Sequence, residues 1–120
     1  MVWTVEFHQA CAEEVQAFAK EVKMQLAASI KFLEEFGPQL KRPYADTLNG
    51  SSHSNMKELR FNAGDGVWRI AYAFDPERKA ILLIGGDKSG ISQKRFYKNL
   101  IKKADERFSK YLAEFTGEGS

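Results

Sequence analysis

Trp3, Val5 and Phe7 alternate with Thr4, Glu6 and His8, the two-residue period of a strand with one apolar face. From Gln9 to Phe36 the period lengthens. Val15, Phe18, Val22, Leu26, Ile30 and Leu33 recur at three- and four-residue spacing with no Gly or Pro between them. This predicts one long helix, or a two-helix hairpin broken near Lys20 to Lys23, ended by Gly37-Pro38. Residues 39–55, with Arg42-Pro43 and Asn49-Gly50-Ser51-Ser52, read as a loop with at most a turn of structure.

The two-residue period returns between Met56 and Gly90. Asn62-Ala63-Gly64-Asp65-Gly66 predicts a tight hairpin, with the Asp-Gly pair supplying the positive φ. Asp75-Pro76-Glu77-Arg78-Lys79 predicts a second turn. Between them Trp68, Ile70, Tyr72 and Phe74 share one face, and Val67, Arg69, Ala71 and Ala73 the other. Ile81 to Ile84 are apolar on both faces, as in a central strand. Leu59 and Phe61 share a side that excludes Arg60. This parity sets the aromatic faces against the helices and leaves Arg60 and Arg69 together on an open face.

A last helix follows from about Ser92 to Phe115, with a stripe of Phe96, Leu100, Ala104, Phe108, Tyr111 and Phe115. The expected organisation is one domain over residues 1–115 with a flexible tail over 116–120. Its class is α+β: strand, helix or helix hairpin, three-strand meander, C-terminal helix, with helices on one face of a small antiparallel sheet.

Length and composition narrow the function classes. At 120 residues the chain supports a single core. No apolar run approaches the roughly 18 residues of a membrane span, and MVWTVEFH lacks the basic and apolar regions of a signal peptide. The expected location is the cytoplasm. Cys11, among Ala10, Ala12 and Val15, reads as a buried thiol. One Cys and two distant His make no metal-binding pattern. Gly64-Asp65-Gly66 lacks the third glycine of a dinucleotide fingerprint, and Ile91 stands where a P-loop needs Lys. No cofactor is expected.

Charge adds an asymmetry. Residues 1–40 carry three Lys or Arg against six Asp or Glu, a balance of −3. Residues 41–120 carry fifteen against ten, a balance of +5. Positive charge thus gathers in the half with the meander and last helix, as in a polyanion binder or an ordinary solvated surface. Lys57, Arg60, Arg69 and Lys88 are set into or just beyond apolar strands, where an unpaired buried charge is costly.

With their order and spacing, MKELRF at 56–61, VWRIAYAFD at 67–75, ILLIGGDKSG at 81–90 and RFYKNLIKKADERF at 95–108 resemble the RelE/ParE toxin superfamily. Within it they resemble the HigB branch related to phage-derived proteins. The resemblance implies the RelE-like microbial ribonuclease fold and a type II toxin. Such a toxin is a ribosome-dependent mRNA interferase, a metal-independent endoribonuclease that enters the ribosomal A site of the 30S subunit and cleaves mRNA. It implies neutralisation by a cognate helix-turn-helix, HigA-like antitoxin. It also implies a catalytic set of Lys57, Arg60, Arg69 and Lys88, with RNA contacts from His53, Lys94, Arg95, Tyr97 and Lys98. The alternatives are a ParE-like toxin that poisons DNA gyrase and a non-catalytic RNA-binding relative.

The chemistry fits these residue types. Cleavage through the 2′-hydroxyl needs a proton removed, phosphorane charge stabilised and the departing 5′-oxygen protonated. Guanidinium groups hold phosphate oxygens bidentately, which suits Arg60 and Arg69. A Lys beside them would have its pKa lowered by like charge, and either Lys57 or Lys88 meets that condition. The structural alternative for Arg60 is an ion pair with Glu58 or Asp87, and for Tyr97 packing beside Phe96.

Overall fold

The computed structural model describes residues 2–117. The first strand, β1 (Val5–Phe7), leads into α1 (Gln9–Gln16) and α2 (Lys20–Phe36). The stretch is therefore two helices rather than one, broken at Ala17–Ala19, just ahead of the expected Lys20 to Lys23. No Gly or Pro causes it. Phe18 turns inward onto Trp68, with ring centroids 4.8 Å apart, and Ala19 is extended as the cap of α2. Tertiary packing overrides helix propensity here. Gly37, at φ 55°, closes α2 as expected.

Residues 39–55 hold more structure than a loop, because Ala45–Thr47 forms a strand, β2. Then come β3 (Lys57–Ala63), β4 (Gly66–Phe74), β5 (Ala80–Asp87) and α3 (Gln93–Gly117). The helix runs past the expected tail boundary at 116, and residues 118–120 lie outside the described residues. In the first hairpin Ala63 pairs with Gly66, so Gly64 and Asp65 are the two turn residues. The positive φ belongs to Gly64 (58°) rather than to Gly66, as a hairpin with glycine first in its two-residue loop requires.

The α+β class and meander are as expected. The five strands lie in the order β1-β5-β4-β3-β2. The sheet is mixed, since β1 pairs parallel with β5 while all other pairs are antiparallel.

Helices cover both faces, which corrects the expected single covered face. Leu59, Ile70, Tyr72 and Leu82 pack with Cys11, Leu26 and Leu33 under α1 and α2. Ala71, Ala73, Ile81 and Leu83 pack with Phe96, Leu100, Ala104 and Phe108 under α3. The row read as open carries alanines whose small side chains admit α3, and α3 has its own apolar stripe to bury. Cys11 is buried as expected, and that burial pushes its thiol pKa up to about 12.

A bulge refines the geometry. Tyr72 pairs with Leu82 but Ala71 with Ile84, so Leu83 has no partner in register. Its carbonyl accepts from Arg107 Nη1 at 2.7 Å instead. The extra residue reverses side-chain parity in the second half of β5.

Candidate functional site

The β3–β4 register places Arg60 directly opposite Arg69. Cross-strand partners point to one face, and like charges there repel. Glu58, two residues before Arg60 on the same face, supplies the compensating charge. Its Oε2 accepts from Arg60 Nη1 at 2.7 Å, and its Oε1 lies 3.8 Å from Arg69 Nε. Tyr97 on α3 completes the cluster: its hydroxyl donates to Glu58 Oε1 at 2.8 Å and accepts from Arg69 Nε at 3.2 Å. Arg69 Nη1 donates to the Trp68 carbonyl at 2.8 Å. The Arg69 and Glu58 side chains are only 6% and 4% exposed, against 19% for Arg60. Arg60 is therefore the guanidinium more open to a ligand.

Lys88 joins through the bulge. Because Leu83 is skipped, Ile84 and Gly86 face α3, and Gly86 pairs with Arg69. Gly86 leaves room for Phe96, whose Cε1 would stand 3.0 Å from a Cβ at that position. The turn beyond is fixed by Asp87, whose Oδ1 accepts from the amides of Val67 and Ser89 and from Ser89 Oγ. Lys88 Nζ then sits 5.9 Å from the centre of the Tyr97 ring. Its pKa falls below the ordinary lysine value, first through burial and then through the positive charges of Arg69 and Arg60.

Glu58, Arg60, Lys88 and Tyr97, with Arg69 behind them, border a cleft of about 850 Å³ between β2, β3, the β5–α3 turn and the start of α3. Arg42, Arg60, Lys88 and Lys94 line it with Asp46 and Glu58, so cations outnumber carboxylates by two. Arg42 pairs with Asp46 at 2.8 Å. The arrangement can hold a phosphate against Arg60 and Lys88 and present an ammonium group of lowered pKa to it.

Of the residues singled out from sequence, the structure gathers Arg60, Arg69, Lys88, Tyr97 and Lys94. Lys57 is not brought there. It pairs with Tyr72 and lines a separate pocket with Trp3, Phe74 and Arg78 on the other face. His53 also lies elsewhere, its Nε2 2.9 Å from Ser109 Oγ and its ring edge-on to Phe108. Ser51 and Ser52 hold the same loop to α3 by donating to Asp105. Arg95 and Lys98 are exposed on α3 and do not line the cleft.

Tyr97 combines packing and chemistry, being edge-on to Phe96 as well as bonded to Glu58 and Arg69. From sequence Glu58 stands out only as an ion-pair partner of Arg60. Its i, i+2 spacing was the signal for an anion between two arginines. Arg42 had no such signal, since it lies in an irregular segment. Among the described residues, no cluster of His, Cys, Asp and Glu is placed to hold a metal ion.

The fold and sequence have clear relatives. A free E. coli toxin RelE variant with two arginines replaced by alanine superposes with a TM-score of 0.61 at 14% identity, covering 86% of this chain and 97% of that one. A chain of the archaeal RelE–RelB complex from Pyrococcus horikoshii OT3 gives 0.55 at 16%, covering 75% of this chain and 99% of that one. Two Mycobacterium tuberculosis proteins that bear the toxin names HigB2 and HigB3 are 42% and 47% identical over 94% and 86% of this chain. The chain spans 56% of the length of the first and 88% of the second. Residues 13–109 match the family described as phage-derived protein Gp49-like. The chain belongs to this Gp49-like family, is HigB-like in sequence and has the fold of RelE.

Proposed function

We propose that the protein is the toxin of a type II toxin–antitoxin pair and that it cleaves mRNA on the ribosome as a metal-independent endoribonuclease. The observation that carries this reading is the in-register Arg60–Arg69 pair with Lys88 on the same face, beside a cationic cleft. The toxin names of the two mycobacterial relatives support it.

In this reading Arg60 grips the scissile phosphate, and Arg69, behind it, adds positive potential from a buried position. The 2′-oxygen attacks phosphorus and the bond to the 5′-oxygen breaks. This leaves a 2′,3′-cyclic phosphate and a 5′-hydroxyl. Lys88, as ammonium, gives its proton to the departing 5′-oxygen, while solvent in the open cleft takes the 2′-hydroxyl proton. Tyr97 and Glu58 hold Arg69 and Arg60 in place. Lys94 steers the strand, and Arg95 and Lys98, further round α3, extend the positive surface toward ribosomal RNA in the A site. Lys57 and His53 have no part in the chemistry.

The antitoxin is a small helix-turn-helix, HigA-like protein made and acting in the cytoplasm. A fold relative captured with RelB supports a protein antitoxin.

A reconstituted translation system tests the proposal. Ribosomes programmed with a defined message and carrying an empty A site receive the purified protein, and primer extension maps any cut. A-site cleavage by the wild type, reduced at least a hundredfold in Arg60→Ala and Lys88→Met, is expected. An intact message would overturn the nuclease assignment, and DNA breaks in a parallel gyrase assay would replace it with a gyrase poison.

A further inference from the structure

Arg60 and Arg69 border a second groove. It holds about 400 Å³ and wraps the edge of β3 where the short β2 ends. Two rings lie along it, Phe32 from α2 and Tyr44 from the segment before β2. Their centroids are 4.7 Å apart with planes tilted by 31°, and the residues are 38% and 45% exposed. Single exposed apolar residues are ordinary, whereas a packed pair of exposed rings beside two guanidinium groups is a more specific surface.

The mounting is rigid. The Tyr44 carbonyl accepts from the Arg60 amide at 2.9 Å, and the Tyr44 amide donates to Lys41 at 2.9 Å. The ring thus belongs to the residue bonded to the backbone of Arg60. None of the residues lining the groove is acidic, unlike the main cleft with its Asp46 and Glu58. Gln25 and Asn62 add exposed amides that can both donate and accept. An anion with a flat aromatic body matches this combination of cations, ring faces and amides.

We infer that the groove holds one nucleobase of single-stranded RNA stacked on the Phe32–Tyr44 pair, next to the phosphate gripped by Arg60. Arg60 lines both the cleft and the groove, so a strand crossing the β3 edge places a phosphate and its neighbouring base on adjoining surfaces. Stacking accepts any base, while Gln25 and Asn62 bias the choice through base edges. This inference rests on the RNA reading of the cleft and adds a base subsite to it.

A coupling experiment tests it. A fluorescent 2′-O-methyl RNA hexamer, which cannot be cleaved through its 2′-oxygen, is titrated with the protein by anisotropy. Each position of the hexamer is then made abasic in turn. For the wild type, one position is expected to weaken binding about tenfold when abasic, the scale of a lost base–aromatic stack. In Tyr44→Ala the same change is expected to cost less than twofold, while Tyr44→Phe retains the full penalty. Equal abasic penalties in wild type and Tyr44→Ala would overturn the subsite, leave the RNA reading intact, and point the groove toward a protein partner. A wild type that binds no hexamer would overturn the subsite, and the ribosome assay above decides the nuclease reading separately.

Discussion

Arg60 and Arg69 face each other across the β3–β4 ladder, and the Glu58 carboxylate makes this like-charge pairing tolerable. Removing Glu58 exposes the repulsion and leaves the buried Arg69 with less compensation. Glu58→Ala is expected to lower stability by about 3–5 kcal/mol. Glu58→Gln, which keeps a hydrogen-bond acceptor, is expected to cost about half as much. Urea denaturation followed by circular dichroism measures both.

In the proposed mechanism Lys88 gives the reaction its pH dependence. Its pKa is held below the ordinary lysine value, and a general acid at this position would work only while protonated. The rate of cleavage should therefore fall as pH rises through that lowered value. Arg60→Gln removes a positive neighbour, favours the ammonium form and moves the alkaline limb of kcat/KM to higher pH, besides lowering the maximum. A limb that stays in place would remove Lys88 from the proton transfer.

Gly86 tests the link between bulge, helix and site. A Cβ there would stand 3.0 Å from Phe96, so the ring must yield by a few tenths of an ångström. Gly86→Ala should cost about 1–3 kcal/mol of stability and loosen the bond between Tyr97 and Arg69. Urea unfolding measures the cost, and a fall in cleavage larger than for an equally destabilised variant elsewhere shows the loosening.

Arg107 ties three elements together. It donates to both Glu14 carboxylate oxygens, at 2.8 and 2.6 Å, and to the unpaired Leu83 carbonyl. The bond from Arg107 lowers the Glu14 pKa against the opposing effect of burial. A lowered folded-state value means the contribution is full above the unfolded carboxyl pKa and is lost as pH falls through the folded one. Glu14→Gln should thus cost up to about 1 kcal/mol at pH 7, since Glu14 is half exposed. The difference from wild type should vanish in strong acid, as acid titration monitored by fluorescence would show.

Much of this was legible in the sequence. Alternation of Trp68, Ile70, Tyr72 and Phe74 with Arg69 and Ala71 marked the strand, and the same parity put Arg60 beside Arg69. The Leu83 bulge was not legible, because Ile81 to Ile84 are all apolar and any register buries them. Without that bulge Lys88 would fall on the opposite face from Arg69. The break at Ala17–Ala19 was hidden for a similar reason, since good helix formers give no local cue and only Phe18 packing on Trp68 decides it. Covering of the alanine row by α3 depended on a long-range contact between two stripes that each looked complete.

In the proposed reaction Arg60 and Lys88 together cleave RNA through attack of its own 2′-oxygen. Sequencing of RNA fragments with 5′-hydroxyl ends after brief expression in growing cells tests it most directly, with wild type beside Lys88→Met. New 5′-hydroxyl ends within translated messages, phased with codons and absent in the variant, are expected. Growth arrest without such ends, or the same ends in Lys88→Met, would contradict it.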